Sequence, residues 1–279
     1  MNLWKREIIK TKRGNFEIFI AGQGNPICVT HHYSVFNESG DYFAQTFINN
    51  NKVILVNLRE CGNSDRAKEP YQLSMIETVL DLEAIRQELG FSSWTYAGHS
   101  TGGMIGALYG IHFSSSLDSL IIVGSAARDY YSSTPESVYN ELHPHFYRMQ
   151  ELMEELKKHD LSFSDRQKLI KERTQISLYK PERYEDYFNG SINKGTSAKR
   201  LNFFSREALI YDITRKLPEI TSKTLILCGK HDVQCPVKYS IEMHQLIPDS
   251  QLHIFEQSNH YPFLEEKNEF EQIIHSFLK

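Results

Sequence analysis

The stretch that most constrains this chain is residues 95–104, which read TYAGHSTGGM. A short β-type run there meets a Gly-x-Ser-x-Gly pattern, and a helical run follows. This pattern predicts a nucleophile elbow, a strand-to-helix turn so sharp that its central residue is strained and presents its side chain. Gly98 and Gly102 flank Ser100 because a Cβ at either position would collide with the neighbouring strand or helix. Ser100 would stand at a helix N-terminus, where N–H groups favour negative charge; the alternative is a glycine-rich turn with an idle serine.

Short apolar runs alternate with helical patterns along most of the chain. The runs are Ile27–Thr30, Val53–Leu58, Thr95–Ala97, Leu120–Gly124, Thr224–Gly229 and Gln251–Phe255. Short, nearly continuous apolar strands separated by helices imply a parallel sheet covered on both faces. Residues 5–20 read as an antiparallel pair that precedes it. The fold class is therefore α/β, with a mostly parallel central sheet flanked by helices, and sites are expected at the carboxyl ends of the strands.

Residues 128–209 differ from the rest of the chain. They are rich in charged and aromatic side chains and contain no β-type run. Amphipathic helices are predicted at 150–158 and 165–178. This region is predicted to be a helical cap insertion in a core formed by residues 1–127 and 210–279.

Composition limits the partners and the setting. The net charge of −4 gives no basic field that would favour nucleic acid or an anionic membrane surface. The start shows no signal peptide, and no apolar run approaches the roughly 20 residues of a membrane span. The four cysteines lack metal-type spacing, and Cys28 and Cys228 are predicted to be small core residues. These features favour a reduced, cytoplasmic protein that binds neither nucleic acid nor membrane, and they leave its oligomeric state open.

A serine hydroxyl becomes a strong nucleophile only when a base takes its proton, and the base needs an orienting acid. The loops after the last two predicted strands supply both groups. Asp232 is predicted to be the acid and His260 the general base, acting on Ser100. The alternatives are an ordinary loop histidine and an aspartate that caps the helix near Pro236, although Asp232 can do both. The neighbouring His231 is given no catalytic role.

The tetrahedral intermediate needs two backbone donors for its oxyanion. The N–H of Thr101, directly after the nucleophile, is one candidate. The N–H of Tyr33, in the loop after the Ile27–Thr30 run, is the other.

The whole chain resembles an α/β-hydrolase with a helical cap. The resemblance lies in residues 98–102, 225–232, 259–262 and 59–65, and in the order Ser, Asp, His of the catalytic set. The loop Arg59–Asp65 resembles the family's Arg-Gly-x-Gly-x-Ser segment, with Glu60 in place of the first glycine. The family's oxyanion loop usually reads His-Gly-x, whereas this chain has His31-His32-Tyr33. Either this loop takes ordinary dihedrals or its donor geometry differs, and His32 is a candidate substrate contact.

Residues 57–64, with Cys61, also resemble the Asp-x-Arg-Gly-Cys-Gly-x-Ser stretch of prolyl iminopeptidases. In that family, cap carboxylates bind the free α-ammonium group of the substrate. Glu185 and Glu207 are the candidates that this resemblance implies here; the alternative is that both are solvated helix charges. The chain lacks that family's Gly-Gly-x-Trp-Gly-x and Gly-Gly-Pro-Gly motifs, and Gly-His-Ser-Thr-Gly is closer to esterases and C–C bond hydrolases.

The predicted function is a serine hydrolase that cleaves a small acyl substrate, a carboxylic ester above all, through an acyl-enzyme on Ser100. No metal or organic cofactor is required for this chemistry. Serine at the elbow argues against dehalogenase and epoxide-hydrolase chemistry, which needs a carboxylate nucleophile. Two alternatives remain: an aminopeptidase that removes an N-terminal proline, and a ligand-binding protein with little turnover.

Overall fold

The computed structural model describes residues 3–131, 133–156, 158 and 160–279. Its strands are β1 (Lys5–Thr11), β2 (Gly14–Ala21), β3 (Asn25–Val29), β4 (Ser34–Val35), β5 (Asn51–Val56), β6 (Trp94–His99), β7 (Leu117–Val123), β8 (Gly195–Thr196), β9 (Thr224–Gly229) and β10 (Ser250–Phe255). Eight of them form one sheet in the order β1-β2-β5-β3-β6-β7-β9-β10. Only the pairs that β2 makes, with β1 and β5, are antiparallel. The predicted mostly parallel sheet is confirmed.

The burial of each strand follows its position in the sheet. Every residue of β9 is buried, and β7 exposes only Asp118. The edge strand β1 instead alternates exposed with half-buried residues. Central strands lack a polar face because helices cover both of their sides, which is why their sequences read as continuous apolar runs.

Nine α-helices are assigned within the described residues. They are α1 (Met75–Glu88), α2 (Thr101–Phe113), α3 (Phe146–Leu156), α4 (Phe163–Gln175), α5 (Tyr184–Tyr187), α6 (Ala198–Glu207), α7 (Val237–Leu246), α8 (Pro262–Glu265) and α9 (Lys267–Phe277). Side chains of α1, α2 and α7 form one core cluster, and α9 contributes to a second. No helix in the described part of the chain is both long enough and apolar enough to cross a membrane.

Helices α3 to α6 lie between β7 and β9, in the region predicted as the insertion. The helix predicted at 150–158 is α3, except that position 157 lies outside the described residues; the helix predicted at 165–178 is α4. The ends of the insertion meet at an isolated bridge between Arg128 and Asp212. The exact boundaries of the insertion, between residues 127 and 128 and between residues 209 and 210, stay a prediction.

The short helix α5, helix α6 and strand β8 of this region were not predicted. Helix α6 begins after Ser197, whose hydroxyl accepts a hydrogen bond from the Arg200 amide. Strand β8 pairs with β4 in a two-residue ladder, although this region of the sequence contains no β-type run. The ladder is too short to leave a periodic pattern, and its partner is about 160 residues away in the chain.

Candidate active site

Ser100 occupies a strained turn between β6 and α2. Its dihedrals are φ 56° and ψ −122°, a region that L residues rarely adopt. A Cβ added to Gly98 would lie 2.2 Å from the carbonyl oxygen of Gly102, and one added to Gly102 would lie 2.4 Å from that of Thr30. Both glycines are therefore required by close backbone approach, as the motif predicts.

His260 and Asp232 are brought together by the loops that follow β10 and β9. The Nδ1 atom of His260 lies 2.9 Å from Oδ2 and 3.1 Å from Oδ1 of Asp232, and both side chains are buried. Asp232 Oδ1 also accepts hydrogen bonds from the amides of Gln234 at 2.9 Å and Cys235 at 2.8 Å. Asp232 thus holds the imidazole and also fixes the turn that leads into α7.

Ser100 and His260 line one cavity of about 790 Å³. The Ser100 hydroxyl makes no hydrogen bond to any other described residue. Proton transfer to His260 therefore requires the two side chains to approach hydrogen-bonding distance, which in many hydrolases happens only when substrate is bound.

Hydrogen bonds from His99 and to Glu265 hold the loop that carries His260. The Nε2–H of His99 donates to the carbonyl oxygen of His260 at 2.7 Å, and burial holds the pKa of His99 well below its ordinary value. The carboxylate of Glu265 accepts from the amides of Asn259 at 2.9 Å and Tyr261 at 3.2 Å. Burial raises the pKa of Glu265 to about 7. No motif pointed to Glu265, because its role depends on amides of the loop before α8 and of Tyr179, which is 86 residues away in the chain.

The oxyanion loop after β3 has ordinary dihedrals. Within the described chain, the only non-glycine residues with positive φ are Glu60 and Ser100, so His31, His32 and Tyr33 do not need the freedom of glycine. The hydroxyl of Thr101 accepts from the amide of His32 at 3.3 Å and contacts His31 Nε2 at 3.0 Å.

The candidate oxyanion donors, the amides of Thr101 and Tyr33, lie next to the contacts of the Thr101 hydroxyl with His31 and His32. Thr101 is the first residue of α2, where amides have no intrahelical carbonyl partner. The amide of Tyr33 is not hydrogen bonded to any residue the structure describes, while its carbonyl accepts from the Ser197 amide at 2.8 Å. Their roles as oxyanion donors stay predictions.

Two predicted substrate contacts lie away from the cavity. The His32 ring is fully buried and packs against Phe204, with Nε2 3.6 Å from Oε2 of Glu207. The Glu207 carboxylate accepts from the Met75 amide at 3.0 and 3.2 Å, at the start of α1. Burial lowers the pKa of His32 well below its ordinary value, so its ring is neutral. His32 and Glu207 are therefore not substrate contacts in this structure; they pack between the oxyanion loop, α1 and α6.

The third predicted contact, Glu185, does line the cavity. Its side chain is 71% exposed, and its carboxylate lies 2.5 Å from Nζ of Lys171. The carboxylate is therefore already paired with a cation from α4, and it is poorly placed to neutralise a substrate ammonium group.

Arg200 is a buried cation that sequence reasoning missed. Its guanidinium donates to the carbonyl oxygen of His32 and, at 2.8 Å, to the hydroxyl of Thr78. No carboxylate of the described residues lies within the 4.0 Å ion-pair distance, and burial lowers the pKa of Arg200 to about 10. Arg200 joins α6 to the oxyanion loop, although a lone arginine in an amphipathic helix usually indicates a solvated face.

No group of three or more His, Cys, Asp or Glu side chains within the described ranges is arranged to hold a metal ion. The chemistry available at the site is that of Ser100, the buried His260–Asp232 pair and backbone amides.

Comparison with protein families and known proteins agrees with this geometry. A family model described as alpha/beta hydrolase fold matches residues 32–267. An alpha/beta fold family hydrolase from Bacillus anthracis strain Sterne has a similar structure, with a TM-score of 0.95 and 41% identity, over 98% of this chain and 99% of that one.

Two other similar proteins carry more specific names. An esterase from Exiguobacterium antarcticum superposes with a TM-score of 0.73 and 26% identity, over 97% of this chain and 98% of that one. A proline iminopeptidase from Saccharolobus solfataricus is 26% identical over 246 residues, which are 78% of this chain and 73% of that protein.

Proposed function

This chain belongs to the alpha/beta hydrolase fold family, and we propose that it is a serine hydrolase that cleaves a small carboxylic ester through an acyl-enzyme on Ser100. The predicted α/β-hydrolase fold is confirmed by the family match and by the similar structures. The proposal rests on one observation above all. A serine in a strained elbow shares a cavity with a histidine whose Nδ1 is hydrogen bonded to a buried aspartate.

The proposed reaction begins with proton transfer from the Ser100 hydroxyl to Nε2 of His260. Oγ then attacks the ester carbonyl carbon, and the amides of Thr101 and Tyr33 donate hydrogen bonds to the oxyanion. Asp232 stabilises the imidazolium through Nδ1–H. Collapse of the intermediate breaks the ester C–O bond, and His260 returns the proton to the leaving alcohol. A water molecule deprotonated by His260 then attacks the acyl-enzyme, the bond to Oγ breaks, and His260 returns the proton to Ser100 as the acid is released.

The first experiment tests the nucleophile. Wild type, Ser100→Ala and Ser164→Ala are compared for hydrolysis of 4-nitrophenyl butyrate and for labelling by a fluorophosphonate. Ser164 is a matched control because it is an exposed serine that lines the same cavity. We expect Ser100→Ala to lose labelling and to lower kcat by at least about 10⁴-fold, while Ser164→Ala keeps both. A wild type that is not labelled and hydrolyses nothing would support a ligand-binding protein instead.

The alternative function is a proline iminopeptidase. Its support is the similarity to the relative of that name and the short stretch around Cys61. The ion pair of Glu185 with Lys171 counts against it, because an α-ammonium group would have to displace that lysine.

Prolyl 4-nitroanilide and its N-acetyl form separate the two functions. An aminopeptidase would cleave only the free amine, and Glu185→Gln would raise its KM. Under our proposal the anilide is cleaved far more slowly than the ester, and Glu185→Gln leaves ester hydrolysis unchanged. Efficient cleavage of the free-amine anilide would overturn the esterase proposal.

A further inference from the structure

Arg173 is a cation in the wall of the catalytic cavity that no carboxylate neutralises. It lies on α4, is half-buried and lines the same cavity as Ser100 and His260. Across the part of the chain that the structure describes, no carboxylate comes within the 4.0 Å ion-pair distance of its guanidinium. A guanidinium stays protonated in proteins, so this positive charge persists at any working pH.

The positive charge of Arg173 acts on residues of the two loops that carry Tyr33 and His260. Burial raises the pKa of Tyr33 and Tyr261, the latter to about 12, and the positive charge of Arg173 opposes that rise in both. Tyr33 belongs to the oxyanion loop, and Tyr261 follows His260 in the chain. The guanidinium also interacts with the phenol of Tyr139. Phenols offer neutral acceptors, which leave the charge of the guanidinium uncompensated.

The other cations of the cavity wall differ from Arg173, because each is paired. The pairs are Lys168–Asp165 at 3.4 Å, Lys171–Glu185 at 2.5 Å and Lys194–Asp41 at 2.7 Å. With these three lysines paired, Arg173 carries the one unneutralised positive charge among the lysine and arginine side chains that line the described wall. Burial lowers the pKa of His31 and His99, so these two imidazoles are neutral and add no charge to the excess. The cavity therefore favours an anionic ligand and disfavours a cationic one.

We propose that Arg173 binds a carboxylate carried by the substrate, so that the preferred ester has an anionic group in addition to its scissile carbonyl. This inference names a substrate class for the function proposed above and rests on it. A planar guanidinium can donate two parallel hydrogen bonds to one carboxylate. A single unpaired guanidinium matches one negative charge, which favours a carboxylate over a doubly charged phosphate.

The test compares two esters of similar length, 4-nitrophenyl hydrogen glutarate and 4-nitrophenyl pentanoate. The readout is the ratio of kcat/KM for the anionic ester to kcat/KM for the neutral ester. We expect Arg173→Gln to lower this ratio by about 10- to 100-fold, the range of a hydrogen bond to a charged group. Arg173→Lys keeps the charge without the planar fork and is expected to restore only part of the loss.

Lys168→Gln is the matched control, because it removes one positive charge from the same helix and the same cavity wall. We expect it to change the ratio by less than about twofold, since an exposed, ion-paired lysine contributes little. A ratio unchanged in Arg173→Gln would overturn the inference, even if both rates fall, because a merely structural role lowers both together. An equal fall in Lys168→Gln would also overturn it, in favour of a general charge effect.

A binding measurement separates this inference from the proposed function. Glutarate and inorganic phosphate are titrated by calorimetry into Ser100→Ala and into the double variant Ser100→Ala/Arg173→Gln. Binding of glutarate that is lost in the double variant supports the inference even if the wild type hydrolyses neither ester. Tighter binding of phosphate than of glutarate, or glutarate binding that does not depend on Arg173, would overturn it.

Discussion

Replacing Ser100 by glycine is expected to stabilise the protein relative to replacing it by alanine. At φ 56° and ψ −122° a residue with a Cβ is strained, which costs about 1–3 kcal/mol. Glycine removes that strain but loses about 0.5–1 kcal/mol more conformational entropy on folding. The Ser100 hydroxyl makes no hydrogen bond to a described residue, so its loss affects both variants alike. The difference of these two terms makes the glycine variant more stable by up to about 2.5 kcal/mol.

The free energy of unfolding is measured for both variants by urea denaturation, with the melting temperature as a second readout. Both variants lack the nucleophile, so activity does not enter the comparison. The control pair is Ser164→Gly and Ser164→Ala, because Ser164 lies inside α4 with helical dihedrals. There glycine should be less stable than alanine, by up to about 1 kcal/mol. A glycine variant at position 100 no more stable than the alanine variant would refute the strain argument.

Two further predictions concern residues that support the site. Arg200→Met should lower kcat for the neutral ester by about 10²-fold. The guanidinium of Arg200 holds the carbonyl of His32, and the N–H of the same peptide group belongs to Tyr33, the proposed oxyanion donor. The free energy of unfolding should fall by only about 1–3 kcal/mol, because an unpaired buried charge is also removed. Steady-state kinetics measure kcat and urea denaturation measures stability. An unchanged kcat would contradict the proposed link between Arg200 and the Tyr33 donor. Glu265 binds a proton up to about pH 7 when folded but only to about pH 4.3 when unfolded, so stability should fall as pH rises between these values. The loss of stability reaches about 3 kcal/mol, and Glu265→Gln should remove it. Urea denaturation of wild type and of Glu265→Gln at pH 4.5 and 7.5 tests this. An equal change in stability with pH in the two proteins would contradict it.

The catalytic candidates were predictable because their signals are local. Ser100 lies in a five-residue pattern whose glycines are required by backbone approaches of 2.2 and 2.4 Å. Asp232 and His260 follow the last two predicted strands, and the carboxyl ends of parallel strands lie at the same edge of the sheet. The sequence Ser74-Met75-Ile76-Glu77 also predicts a capping box at the start of α1, and half of it forms. Ser74 accepts from the Glu77 amide at 3.3 Å, but the Glu77 carboxylate pairs with Arg13, from the turn between β1 and β2, instead of reaching back.

The substrate contacts were not predictable in the same way. His32, Glu185 and Glu207 were chosen for their residue type, yet only Glu185 lines the cavity, and it is already paired. The residues that do support or charge the site, Arg173 and Arg200, carry no motif. Their significance comes from which groups surround them.

Residue order alone determined the α/β class, the elbow and the order of the Ser, Asp and His candidates. These features depend on periodicity and spacing, which act over a few residues and repeat from strand to strand. Only the tertiary structure decided which charges are buried, which are paired and which face the cavity. A charge is neutralised by groups within about 4 Å in space, and in this protein those groups come from distant parts of the chain. The sequence therefore carries the candidate catalytic groups, and the packing of the insertion against the core decides which charges line the cavity.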